Sequence, residues 1–187
     1  MIIRHAEKPP DPPSPPPPYG VNANGTQDAE SLIIQGWQRA GALAGLFAPA
    51  RGPFQDPNLA TPQFVYASRA VPHTDSDSMR PQETVTPLIN KLGNGVSVNF
   101  EFLKGEEHAA ATSALVCKGV VLICWEHKNI HKLVHEIPVS PQQMTPVPKK
   151  WDGDRYDMVW IFDLDPDTGT YLFSQVAQLL LAGDAPV

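Results

Sequence analysis

The chain has 187 residues, a length suited to one domain over residues 1–187. Hydrophobic residues make up 42%, enough for a real core, and the mean hydropathy of -0.23 is ordinary for a water-soluble chain. A net charge of -6 argues against nucleic acid or an anionic membrane surface as an obligate partner, yet a local cluster of arginines can still hold an anion. Proline is the outlier, with 21 residues against a usual share of ~5%.

No apolar run is long enough to span a bilayer. The opening MIIRHAEKPP has too short an apolar stretch for a secretory leader and meets charge at once. Cys117 and Cys124 are the only cysteines and make no disulfide framework, being read as small apolar residues at or near a buried strand. Asn24-Gly25-Thr26 matches a glycosylation acceptor, but without an export signal it reads as a turn. A reduced, cytoplasmic protein is expected.

Met1 to His5 reads as a buried strand running into a functional loop. It is short, consistent with an abbreviated sheet edge or with further sequence upstream. The proline-rich loop at 9–18 can be neither helix nor ladder, because proline lacks the donor and fixes φ. Its place beside Arg4 and His5 suggests a stiff pocket rim, and a surface linker or a ligand for a proline-binding module is the alternative.

Ser31 to Phe47 carries apolar residues at helical steps, ended near Gly52-Pro53. Phe64 to Ala67 is a short buried strand leading into Ser68. The polar stretch Arg69 to Ser78 passes into a helix that starts near Arg80 and holds Thr84, Leu88 and Leu92. Val96 to Phe102 alternates like a strand, and Glu106 to Val116 is helical.

Gly119 to Trp125 is a continuous apolar run, the pattern of a strand at the centre of a sheet. His127 follows it, and Ile130 to His135 reads as a short helix. Tyr156 to Leu164 and Tyr171 to Gln178 read as two strands joined through Asp165-Pro166-Asp167-Thr168-Gly169. The expected fold is an α/β three-layer sandwich: a mainly parallel central sheet flanked by helices, with a C-terminal β-hairpin.

In such folds ligands bind beyond the carboxyl ends of the strands. Arg4-His5, Ser68 with Arg80, and Glu126-His127 all fall at such ends, and a parallel sheet brings them to one edge. Arginine binds phosphoryl oxygens through a planar fork of donors. A neutral imidazole among arginines can attack phosphorus, because their charge offsets the anion that would repel a nucleophile.

Four stretches carry a resemblance. Arg4-His5-Ala6-Glu7-Lys8-Pro9, the helix Leu32-Ile33-Ile34-Gln35-Gly36-Trp37-Gln38-Arg39-Ala40, Ser68 with Arg80-Pro81-Gln82-Glu83-Thr84, and Val121 to His127 occur in that order. The chain resembles the histidine phosphatase superfamily (phosphoglycerate mutase-like), in its small phosphatase branch. That resemblance implies a metal-independent phosphomonoester hydrolase with no cofactor, acting on a small-molecule phosphate ester through a phosphohistidine.

It implies His5 as nucleophile, with Arg4, Arg80 and His127 binding the phosphate and His127 assisting catalysis. Arg69 also follows the Ser68 strand, but Thr84 stands at the family spacing from Arg80. For the proton donor the matching segment offers Glu107, with Glu106 second; Lys128 stands where another branch has aspartate. Mutase activity fits less well. A non-catalytic module that recognises a phosphorylated ligand with the same pocket is the alternative. A partner docking on residues 9–18 is a third. His127, His131 and His135 share one helical spacing, but no further ligand completes a metal site.

Overall fold

The computed structural model describes residues 1–10, 17–143 and 145–186. Residues 11–16 of the proline-rich loop therefore lie outside the described residues. The elements are β1 (Ile2–Arg4), α1 (Ile34–Phe47), β2 (Phe64–Ala67), α2 (Arg80–Leu92), β3 (Ser97–Asn99), α3 (Glu107–Leu115), β4 (Val121–Trp125), α4 (His127–His135), β5 (Met158–Asp165) and β6 (Thr170–Ala177).

The six strands form one mixed sheet in the order β3-β2-β4-β1-β5-β6. β3, β2, β4 and β1 run parallel; β5 is antiparallel to β1, and β6 to β5. Of these, β1, β2 and β4 carry near-continuous apolar sequence because both of their faces are covered, whereas β3 is a short, exposed edge strand. Leu122 and Cys124 pack in one core cluster with Ile3, Val65, Val159 and Ile161; Ile123 and Trp125 pack in another with Ile2, Met158 and Trp160. α1 and α2 supply Leu43, Phe47, Val85 and Leu88 to the first cluster, and α3 and α4 supply Ala110, Ala114, Ile130 and Leu133 to the second. Burying an aliphatic side chain of this kind is worth about 1.5–3 kcal/mol.

The strand order positions the site. β4 lies between β1 and β2, so the carboxyl ends of three adjacent parallel strands, Arg4, Ala67 and Trp125, stand side by side. Pairing runs one residue past β1, where the His5 amide donates to the Trp125 carbonyl at 3.0 Å. His5 therefore leaves the sheet with its backbone still anchored.

Several elements are shorter or longer than the sequence pattern suggests. α1 starts at Ile34 rather than Ser31, because Ile33 is extended (φ -75°, ψ 169°) and the Ser31 hydroxyl and Leu32 amide are drawn away to Glu83. β3 keeps only three paired residues, since β2, its sole neighbour, is itself four residues long. α4 begins at His127 rather than Ile130, so that histidine is the first residue of a helix. Among the described residues no helix is long and apolar enough to cross a membrane.

Candidate active site

His5 is 3% exposed, and its Nδ1 lies 2.8 Å from the Ala6 carbonyl oxygen. A carbonyl only accepts, so the ring proton sits on Nδ1 and Nε2 keeps its lone pair. Burial, with the positive charge of Arg4 next, holds the imidazole well below the ordinary histidine range, against the opposing Ala6 hydrogen bond. The result is a neutral imidazole with one fixed tautomer and a basic Nε2.

The loop that carries His5 is fastened from two helices. The Ala6 amide donates to Thr84 Oγ1 at 2.9 Å, and the Thr84 hydroxyl donates to the Arg80 carbonyl at 2.7 Å. This is the physical content of the Arg80-x-x-x-Thr84 spacing: one turn of α2 joins the residue after His5 to Arg80. Just before α1, the Ile33 amide donates to the Glu7 carbonyl at 3.1 Å, while Arg39 of α1 holds the Glu7 carboxylate.

His5, Arg80 and His127 line one cavity of about 140 Å³ with Ser68, Ser78 and Glu126. The rings of His5 and His127 lie 6.4 Å apart at 71°, edge to face. Arg80 opens α2 and His127 opens α4, so two helix N-termini add positive potential at this end of the sheet. Arg80 Nη2 donates to the Ala29 carbonyl at 2.5 Å and to Glu30 at 3.2 Å.

Arg4 is placed differently. It is 1% exposed and is not a wall of this cavity. Its guanidinium carbon lies 3.6 Å from the centroid of the Tyr156 ring, and Nη1 donates to the Gly153 carbonyl at 2.5 Å. Its charge still helps to hold the His5 imidazole below the ordinary histidine range. Gly153 thus serves both sides of the site, because a β-carbon there would lie 3.8 Å from His127 Nε2.

Buried donors normally find acceptors, and leaving one unpaired costs about 1–3 kcal/mol. Three fail that rule here. Arg4 Nε, Arg80 Nε and Ser78 Oγ are buried and have no hydrogen-bond partner among the described residues. Two of them belong to residues that line the cavity with His5. Donors of this kind suit an anionic acceptor such as a phosphoryl oxygen.

Glu107, the glutamate that the sequence pattern points to, does not line the cavity. It is 2% exposed, and its Oε1 accepts from the Trp125 indole at 3.0 Å and the Gly105 amide at 2.9 Å. Lys132 Nζ lies 3.9 Å from its other oxygen. Glu106 turns back to accept from the Leu103 amide at 2.8 Å. Arg69 also lies outside the cavity walls.

Sequence reasoning missed Ser78, Asp75, Asp77, Tyr156 and Gly153. The first three sit in the polar stretch after Ser68, where no periodicity marks any residue. Tyr156 and Gly153 act through tertiary placement alone. A larger cavity, about 560 Å³ with mostly apolar walls, opens near the start of β4 around Gly119, Val120 and Val121, away from these charged groups. Among the described residues no group of three or more His, Cys, Asp or Glu is placed to hold a metal ion. No protein-family model and no curated protein matches this chain.

Proposed function

We propose that the chain is a metal-independent phosphomonoester hydrolase that works through a phosphohistidine on His5. The observation that carries this reading is His5 itself: buried, neutral, held in one tautomer, and set in a cavity with Arg80, His127 and orphaned donors. It agrees with the histidine phosphatase resemblance, and the layering that resemblance implies fits helices feeding two separate core clusters. In this reading β5 and β6 are its terminal hairpin.

His5 Nε2 attacks phosphorus in line, and the leaving oxygen departs with a proton. Arg80 Nε, the Ser78 hydroxyl and His127 hold the equatorial oxygens, while Arg4 keeps the site electropositive from beneath. Water then takes the phosphoryl group from His5 and returns the neutral imidazole. Fixed donors aimed at developing charge need no reorganisation during the reaction, which makes them worth far more than the same groups in water.

The substrate is a small phosphorylated metabolite. About 140 Å³ of space, walled by lysines, serines and carboxylates and, among the described residues, by no phenyl or indole ring, fits a compact polar ester. Nucleic acid and membrane are not partners in this reading, given the net charge of -6.

Rapid quenching in alkaline SDS after mixing with a 32P-labelled phosphate ester tests it. Wild-type protein should yield an acid-labile, alkali-stable phosphoenzyme, and His5→Ala should yield none. Binding of phosphate with neither a phosphoenzyme nor turnover would favour a non-catalytic phospholigand module instead.

A further inference from the structure

A phosphoryl transfer that expels an alkoxide needs a proton donor, and the cavity wall contains four carboxylates: Glu30, Asp75, Asp77 and Glu126. Two are committed. Glu30 pairs with Arg80 at 3.2 Å. Glu126 pairs with Lys104 at 3.7 Å and accepts from Asn129 at 3.3 Å. Asp75 is exposed, whereas Asp77 is half-buried beside Ser78. Asp77 makes no side-chain hydrogen bond or ion pair among the described residues.

The loop around Asp77 is nonetheless held in place. The Val71 amide donates to the Ser76 carbonyl at 2.7 Å, and the Ser76 hydroxyl donates to the Arg69 carbonyl at 2.7 Å. That hydroxyl also accepts from the Lys104 amide at 3.1 Å. On the other side of Asp77, the Met79 amide donates to the Glu30 carbonyl at 3.1 Å. A carboxyl that is unpaired among the described residues, on a braced backbone, can turn to a leaving group without giving up another partner.

We infer that Asp77 is the general acid of this site, a role that rests on the phosphohydrolase reading above. In the first step a bond forms between His5 Nε2 and phosphorus and the bond from phosphorus to the ester oxygen breaks. That oxygen keeps the electron pair and takes the Asp77 proton. In the second, the Asp77 carboxylate removes a proton from water as its oxygen attacks phosphorus. The bond to nitrogen breaks and its electron pair returns to Nε2. Glu107 then serves the fold, holding the Trp125 indole.

The test compares leaving groups in single turnover. Wild type, Asp77→Asn, Asp75→Asn and Glu107→Gln are each mixed with β-glycerol phosphate, whose alkoxide needs protonation, and with p-nitrophenyl phosphate, whose phenolate does not. Asp77→Asn should slow phosphoenzyme formation from the alkyl ester by roughly 10²–10⁴-fold and from the aryl ester by about threefold or less. A similar loss on both esters, or no loss on either, overturns the assignment. So does a selective alkyl-ester loss in Asp75→Asn or Glu107→Gln with Asp77→Asn unaffected. Should wild type form no phosphoenzyme from either ester, the phosphohydrolase reading itself fails, a distinct result. Asp77→Ser repeats the comparison if the asparagine variant does not fold.

Discussion

Arg39 grips both carboxylate oxygens of Glu7, with Nε 2.9 and 3.1 Å from them and Nη2 2.8 Å from Oε1. Its remaining donors reach Asp184 at 2.7 and 3.0 Å and Gln178 at 3.1 Å. One buried guanidinium therefore ties the loop after His5 to the segment beyond β6. All three charged side chains are nearly inaccessible to solvent.

Replacing Arg39 with methionine leaves two buried carboxylates short of their cation. Breaking a buried pair in this way costs about 3–5 kcal/mol, more than the packing a methionine restores. Urea unfolding should show that loss in Arg39→Met, and a double-mutant cycle with Glu7→Gln should show strong coupling. A loss under about 1 kcal/mol would mean that Arg39 does not anchor this loop.

The run from Gly119 to Trp125 is apolar at nearly every position, which reveals a strand buried on both faces, and β4 stands between β1 and β2. The helical steps of α1 were equally plain. His5, Arg80 and His127 were legible because each follows a strand or opens a helix beside one, and the structure gathers them at one cavity. Glu107 shows where that logic stops: a glutamate opening a helix looks alike whether it faces a cavity or an indole. Asp77 and Ser78 sit in a stretch without period, so only the fold reveals what they face. Glu83 is similar. Its buried carboxylate accepts from the Ser31 hydroxyl and the Leu32 amide, both at 2.8 Å, a link across 52 residues that no local pattern records.

Thr84 offers a second test. Its hydroxyl is the acceptor for the buried Ala6 amide and the donor to the Arg80 carbonyl. Thr84→Val keeps the shape and removes both bonds, leaving the Ala6 amide unsatisfied at a cost of about 1–3 kcal/mol. Thr84→Ser keeps the hydroxyl and should retain most of the stability. In the phosphohydrolase reading the valine variant also slows phosphoenzyme formation, and the serine variant restores it. Rapid-quench measurements on folded fractions of each would check this.

The neutrality of His5 has a consequence for pH. Burial first, and the charge of Arg4 next, keep its folded-state pKa well below 6.5, whereas in the unfolded chain the ring protonates near ~6.5. Below that pH the unfolded state binds a proton that the folded state refuses, so stability falls as pH falls. Between pH 7.5 and 5.5 this single group therefore makes the protein progressively less stable. His5→Gln should lose that part of the slope, as urea midpoints at the two pH values would show. If the variant and wild type lose stability equally, His5 is not held neutral. Phosphoenzyme formation should likewise persist below pH 6.5, since the nucleophile remains unprotonated there.

Gly36 provides the sharpest steric test of how α1 meets the His5 loop. Gly36 and Arg39, three residues apart on one helix face, both address Glu7: one gives room to its backbone, the other holds its side chain. A β-carbon at Gly36 would lie 2.5 Å from the Glu7 carbonyl oxygen and 3.1 Å from its amide nitrogen. Both obstacles are backbone, so no rotamer change can relieve them. Either the helix or the loop must move, and overpacking of this kind costs about 1–3 kcal/mol. Elsewhere in the same helix, a β-carbon at Gly41 or Gly45 would meet nothing within 4 Å. Alanine is the better helix former by roughly 1 kcal/mol. Gly41→Ala and Gly45→Ala should therefore be neutral or stabilising, while Gly36→Ala should lower the thermal midpoint despite the same gain in helix propensity. A Gly36→Ala protein as stable as the other two would show that α1 and the His5 loop are not packed backbone to backbone.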